Sequence, residues 1–219
     1  VWMKEDDSAE QRDCFASMEV ALGCVYIPEL CFYTRILVSF YLALNDSFRA
    51  FSFGGNGMND AEYMRLALAL AEQGRGWTAP NPMVGAVIVK DGAVIGQGWH
   101  ERYGEPHAER NALASCTADP AGATMYVTLE PCCHHGKQPP CVDAILASGI
   151  RRVVIGSADP NPLVAGKGVA ILRSHGVEVT KNVLRQECDA LNKIFFHYIT
   201  TGRPFVSMKY AMTMDGKIA

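Results

Sequence analysis

Two stretches of this chain, separated by 20 residues, carry groups that have to meet at one point, and any fold the chain adopts must satisfy that. The first is His107-Ala108-Glu109; the second runs from Glu130-Pro131-Cys132-Cys133 to Pro139-Pro140-Cys141. One imidazole and two thiolates make three zinc ligands and leave a tetrahedral ion one open position, the pattern of a catalytic rather than a structural site. Glu109 as a fourth ligand would close that site, so its better use is as a proton carrier beside zinc-activated water. Cys132 follows Pro131 and takes the first thiol position, with Cys133 its competitor. Cys141 follows two prolines and opens a predicted helix, because Pro is tolerated in a first helical turn. The helix dipole there favours a thiolate. The polar insert His134–Gln138 is expected to form part of a pocket wall.

Bulk properties narrow the partner. The formal charge of the 219 residues is −3 and no long basic run occurs, which argues against a chain that grips a nucleic-acid backbone by charge. A small-molecule substrate fits better. Eight cysteines with irregular spacing in a chain of this size point to reduced thiols and a cytoplasmic location. The apolar run Ile36–Leu44, flanked by Arg35, is too short to span a bilayer. No basic start with an early apolar core marks a signal peptide, so no membrane partner is expected. Residues 1–57 differ in character from the rest and read as an atypical extension without a conserved role. The rival reading is a membrane-surface or partner helix. Gly54-Gly55-Asn56-Gly57 forms a linker and Met58 a plausible start.

From Asn59 the pattern is regular. Asn59 or Asp60 caps a helix with apolar positions Tyr63, Met64, Leu66, Ala67, Leu68, Leu70 and Ala71, ended by Gly74 and Gly76. A rigid loop, Thr78–Met83, precedes strands at 84–89 and 93–98 joined by a turn at Lys90-Asp91-Gly92. His107 opens a helix to about Ser115. Strands follow at 125–129, 152–156 and 177–179, with helices over 141–148, 167–174 and, as one long element, 184–199. Alternating strands and helices imply an α/β fold with helices on both faces of one sheet. Ligands in such folds sit at the C-terminal ends of strands, where the Leu129–Cys132 corner lies.

A His-x-Glu followed by Pro-Cys and a second Cys is the signature of zinc deaminases. Here eight residues separate the two thiols, where the common pattern has two. Thr128-Leu129-Glu130-Pro131-Cys132-Cys133-His134-His135-Gly136 with Pro139-Pro140-Cys141 resembles the deaminase domain of the bifunctional riboflavin-biosynthesis deaminase/reductases. Asn81-Pro82-Met83-Val84-Gly85, Gly104-Glu105-Pro106-His107-Ala108-Glu109, Asp159-Pro160-Asn161-Pro162 and Gly166-Lys167-Gly168 match as well. The resemblance runs from about Met58 to Ala219. Cys133 stands where the family commonly has Ser, and Lys137-Gln138 where it has Arg-Thr; neither touches a ligand position.

The resemblance implies a three-layer α/β/α, cytidine-deaminase-like sandwich with a mixed central sheet, spanning residues 58–202. It implies Zn²⁺ on His107, Cys132 and Cys141, with Glu109 moving protons. It implies a pyrimidine ribotide as substrate, 2,5-diamino-6-ribosylamino-4(3H)-pyrimidinone 5′-phosphate, whose ring 2-amino group is replaced by oxygen with release of ammonia. Asn81, His100, His134, Lys137, Asp159 and Asn161 match substrate-contacting positions. His100 reads equally as a satisfied core or surface histidine, and Asp159 with Asn161 equally as a Pro-flanked Asx turn. The family leaves the chain a monomer or a homo-oligomer. Residues 203–219 look like the opening of an NADPH-dependent reductase domain, with Lys209 and Ala211 at cofactor-binding positions. About fifteen residues cannot make a dinucleotide fold, so deamination without reduction is expected of this chain. The alternatives are another zinc deaminase acting on a nucleoside or tRNA, and a non-catalytic zinc module closed by a fourth protein ligand.

Overall fold

Asn59 starts the ordered pattern as expected. In the computed structural model, which describes residues 58–162, 164–209, 211, 215 and 217, its Oδ1 accepts hydrogen bonds from the N–H groups of Ala61 and Glu62 at 3.0 and 3.1 Å. The Glu62 carboxylate accepts from the Asn59 N–H at 2.7 Å. This reciprocal cap satisfies donors that a helix start otherwise leaves bare. Helix α1, Asp60–Glu72, follows and buries Tyr63, Met64, Ala67, Leu70 and Ala71, the stripe its 3.6-residue period lays on one side. The expectations for residues 1–57 lie outside the described residues.

Strands β1 (Gly85–Lys90) and β2 (Ala93–Trp99) form an antiparallel hairpin. Its two turn residues, Asp91 and Gly92, have φ of 52° and 78°, the left-handed pair that suits the twist of a two-residue hairpin. Helix α2 (Ala108–Ala114) leads to β3 (Thr124–Leu129), which pairs antiparallel with β1. Helix α3 (Cys141–Ala147), β4 (Arg152–Ser157), helix α4 (Lys167–Ser174) and β5 (Glu178–Lys181) complete a right-hand half whose strands run parallel. The sheet order is β2-β1-β3-β4-β5. It is therefore the mixed central sheet expected.

Side chains alternate across the strands, and each face has its own core. Ala86, Ile88, Met125, Val127, Val153 and Ile155 pack with α2, α3 and α4. Val87, Val89, Tyr126 and Val154 pack with α1 and with Cys188 of helix α5, Arg185–Leu191. Three layers result. Fully burying a side chain such as Ile88 or Met125 contributes about 1.5–3 kcal/mol. Helix α2 sits unusually close to β2: a Cβ on Gly98 would lie 2.4 Å from the backbone nitrogen of Ala112. That glycine lets the helix beginning at His107 lie down on the sheet.

Two expectations are corrected. The strand placed at 177–179 is Glu178–Lys181. The single helix placed over 184–199 is two, α5 and α6 (Lys193–Thr201), broken at Asn192. At the break the Asn192 carboxamide bonds both backbone groups of Met83, accepting from its N–H and donating to its C=O, each at 2.8 Å. No helix among the described residues is long and apolar enough to cross a membrane.

Candidate active site

Strands β3 and β4 lie side by side and parallel at the centre of the sheet, and the chain leaves both at the same edge. The turn after β3 carries Glu130 to Cys132, the turn after β4 carries Asp159 and Asn161, and α2 presents His107 and Glu109 from across the hairpin. Converging strand ends of this kind form a crevice without further devices.

His107 is the N-cap of α2, in extended conformation, and Cys141 is the first residue of α3. The His107 Nδ1 lies 3.5 Å from the Cys132 sulfur and 3.4 Å from the Cys141 sulfur. All three candidate ligand atoms fall within 4.8 Å of one another. A tetrahedral zinc with ordinary Zn–N and Zn–S bonds separates its nitrogen and sulfur ligands by about 3.6 Å, so the donor set fits that ion in both type and spacing. The sulfur of Cys132 also accepts the Cys141 N–H at 3.3 Å, a link that sets the two thiols at the start of α3. Hydrogen bonding from Cys141 and His107 holds the Cys132 thiol down to about 4, while the neighbouring Cys132 sulfur and burial push Cys141 up. Burial pushes Cys133 up, away from thiolate character.

Glu109 is 3% exposed. Burial raises its carboxyl above the usual range, and the Cys132 thiolate adds to the rise. A carboxyl so placed exchanges a proton more readily near neutral pH than one in water does.

The cavity, about 280 Å³, is lined by Glu109, His107 and Cys132. Its size suits one small molecule. Asn81, His100, His134, Lys137, Asp159 and Asn161 line it too. The structure therefore brings all six candidate substrate contacts to the wall of one cavity. Lys209 and Ala211 do not line it; both are exposed on the segment beyond α6. The insert between the thiols supplies wall residues His134, Gly136, Lys137 and Gln138. The Gln138 amide donates to the Gly104 C=O at 2.8 Å, and the Lys137 ammonium sits 4.2 Å from the centre of the Tyr103 ring. These contacts tie the insert to the loop before His107.

His100 and Asn81 are oriented by one relay. The Nδ1 of His100 lies 3.2 Å from the Pro106 C=O, which can only accept, so Nδ1 carries the proton. Its Nε2 then accepts from the Asn81 amide nitrogen at 3.2 Å, and the Asn81 oxygen is left as the acceptor. Burial lowers the His100 pKa, which keeps that neutral tautomer. Asp159 is pushed up to about 6 by burial, against the Asn161 N–H that it accepts at 2.8 Å. The Asx turn and the cavity wall thus coexist at this loop.

Three wall residues carried no role in the sequence reading. Glu130, 4% exposed, accepts the N–H groups of Gly166 and Val169 at 3.1 and 3.2 Å and so caps α4. A Cβ on Gly168 would lie 2.4 Å from the Pro131 C=O, which explains a glycine there. Tyr103 precedes the matched Gly104 motif by one residue, and only its place beside Lys137 gives it meaning. Phe195 lines the cavity from α6; its helical context reads as ordinary amphipathic packing.

The profile of the cytidine and deoxycytidylate deaminase zinc-binding region matches residues 58–157. The chain is 64% identical over 162 residues to the riboflavin biosynthesis protein RibD of Actinobacillus pleuropneumoniae, covering 74% of this chain and 43% of that protein. It is 49% identical over 162 residues to RibD of Escherichia coli, covering 74% and 44%. Among solved structures it is similar to the diaminohydroxyphosphoribosylaminopyrimidine deaminase/5-amino-6-(5-phosphoribosylamino)uracil reductase of Thermotoga maritima. The TM-score is 0.70 at 53% identity, covering 73% of this chain and 46% of that one. The chain spans less than half the length of these relatives.

Proposed function

We propose that this chain, which matches the deaminase part of the RibD riboflavin-biosynthesis proteins, is a zinc-dependent hydrolytic deaminase of a diaminopyrimidine ribotide. The observation that carries the reading is the pairing of a three-residue His107, Cys132, Cys141 donor set with a buried carboxyl, Glu109, that lines the same cavity as His107 and Cys132. Zinc, when bound there, lowers the pKa of its water towards about 7 and so supplies hydroxide near neutral pH.

The remaining steps belong to the chain. Glu109 takes the proton released from water and delivers it to the ring nitrogen of the amidine as the C–O bond forms. It then takes the remaining hydroxyl proton and hands it to the amino group as the C–N bond breaks, so ammonia leaves and the ring carbon becomes a carbonyl. Its raised pKa suits both directions of transfer. Asn81, with its amide fixed by His100, offers the pyrimidine edge an acceptor. Lys137 is the cation assigned to the ribose phosphate, and His134, Asp159 and Asn161 complete the wall around the sugar. NADPH enters this reading only through a reductase part, to which Lys209 and Ala211 would belong.

Mass spectrometry of 2,5-diamino-6-ribosylamino-4(3H)-pyrimidinone 5′-phosphate incubated with the zinc-loaded chain in oxygen-labelled water tests the proposal. The expected product has one ring amino group replaced by solvent oxygen. Turnover of cytidine or dCMP but not of the ribotide would overturn the substrate assignment. No turnover of any of the three by folded, zinc-loaded protein would overturn the reaction.

A further inference from the structure

We propose that Asn192 is a positioning residue for the active site, holding the loop that carries Asn81 from the far side of that loop. The inference rests on reading the cavity as a deaminase site. Asn192 is 4% exposed and lies in the break between α5 and α6. Its carboxamide makes the two Met83 bonds already described, across 109 residues of sequence. A side chain thereby copies the pairing of a neighbouring strand.

The opposite side of the same stretch is held as well. The His100 N–H donates to the Val84 C=O at 2.9 Å. Met83 and Val84 are therefore clamped between Asn192 on one side and His100 on the other. Pro82 alone separates Met83 from Asn81, and its ring fixes φ near about −65°. Little play remains between the clamp and the amide that His100 orients. The loop's inner end is held too, since the Asn81 N–H donates to the Thr78 C=O at 2.8 Å.

The main chain around Asn192 is also committed. Its N–H donates to the Asp189 C=O and its C=O accepts the Phe196 N–H, so it ends α5 and begins α6. Phe195, one helical turn on, lines the cavity. One residue thus sets both the Asn81 loop and the helix that brings Phe195 to the wall, although it touches no reacting atom.

A double-mutant cycle on the full, zinc-loaded chain decides the matter. The variants are Asn192→Ala, Asn81→Ala and both together, read as kcat and KM for the pyrimidine ribotide, with zinc content and hydrogen exchange of the Met83 amide alongside. Asn192→Ala is expected to lower kcat/KM roughly 10- to 100-fold, the cost of a misplaced contact, with zinc content unchanged and the Met83 amide exchanging faster. In the Asn81→Ala background its further effect is expected to be under about 3-fold, because coupled residues are not additive. Asn192→Asp keeps the acceptor for the Met83 N–H and is expected to fall between wild type and Asn192→Ala. If Asn192→Ala does not fold, the Asp variant carries the same cycle. Losses that multiply, or zinc lost in step with activity, overturn the proposal while the deaminase reading stands. A wild-type chain that leaves the ribotide unchanged overturns both.

Discussion

Glu109 and Glu130 are buried carboxylates at the wall of one cavity, 3% and 4% exposed, but the regions around them treat the charge in opposite ways. Glu130 stands at the end of β3 facing the N-terminus of α4, where two backbone N–H groups take up both its oxygens. Glu109 stands in the first turn of α2, where burial dominates and raises its pKa. A carboxylate saturated by fixed donors becomes part of the scaffold. One whose desolvation outweighs the hydrogen bonds and charges that favour its ionised form is free to carry a proton.

The sharpest way to break that contrast is to neutralise each carboxylate without changing its size. Glu109→Gln is expected to lower kcat by at least about 10²–10⁴-fold with bound zinc and Tm unchanged, measured by turnover, metal analysis and calorimetry. Unchanged turnover would remove Glu109 from the chemistry. Glu130→Gln is expected to act mainly on stability, because an amide NH₂ would face an N–H at the start of α4. Leaving a buried donor unsatisfied costs about 1–3 kcal/mol, visible as a lower denaturant midpoint. If it instead abolished turnover in fully folded protein, the two glutamates would not divide the work as described.

A third carboxylate, at the opposite face of the sheet, gives the smallest effect. Asp60 accepts two bonds from the Arg152 guanidinium, at 2.9 and 2.7 Å, and one from the Tyr126 hydroxyl at 2.9 Å. The Arg152 bonds hold its pKa below the ordinary 3.8. Its contribution to stability is therefore present above pH 3.8 and lost as pH falls through the depressed folded value. Because the pair is partly exposed, solvent screening makes the contribution modest. Thermal unfolding below pH 3.8 is expected to show a steeper fall for wild type than for Asp60→Asn; parallel curves would remove the Arg152 contact from the stability of this face.

The parts of the site that could be read in advance are those built over short spans. Asn59 announces α1, Asp91-Gly92 announces the hairpin, and Pro140 before Cys141 announces a helix start. Each is a local conformational preference that needs no distant partner. The convergence of His107, Cys132 and Cys141 was open to the same reading because two thiols and an imidazole have few other joint uses. The helix over 184–199 failed for the complementary reason. Its period is helical throughout, and the Asn192 that separates the two helices makes its side-chain bonds to Met83, 109 residues away.

By itself, then, the sequence determined the alternation of strands and helices, the capped ends, and which groups could serve a metal and a proton, since all of these follow from torsional preference and side-chain chemistry within a few residues. The tertiary structure alone decided that Glu130 is spent on α4, that Asn192 grips Met83 from between two helices, and that Phe195 faces the cavity. Those choices depend on backbone donors and acceptors from segments tens of residues away, and a hydrogen bond is worth making only once folding has removed both partners from water.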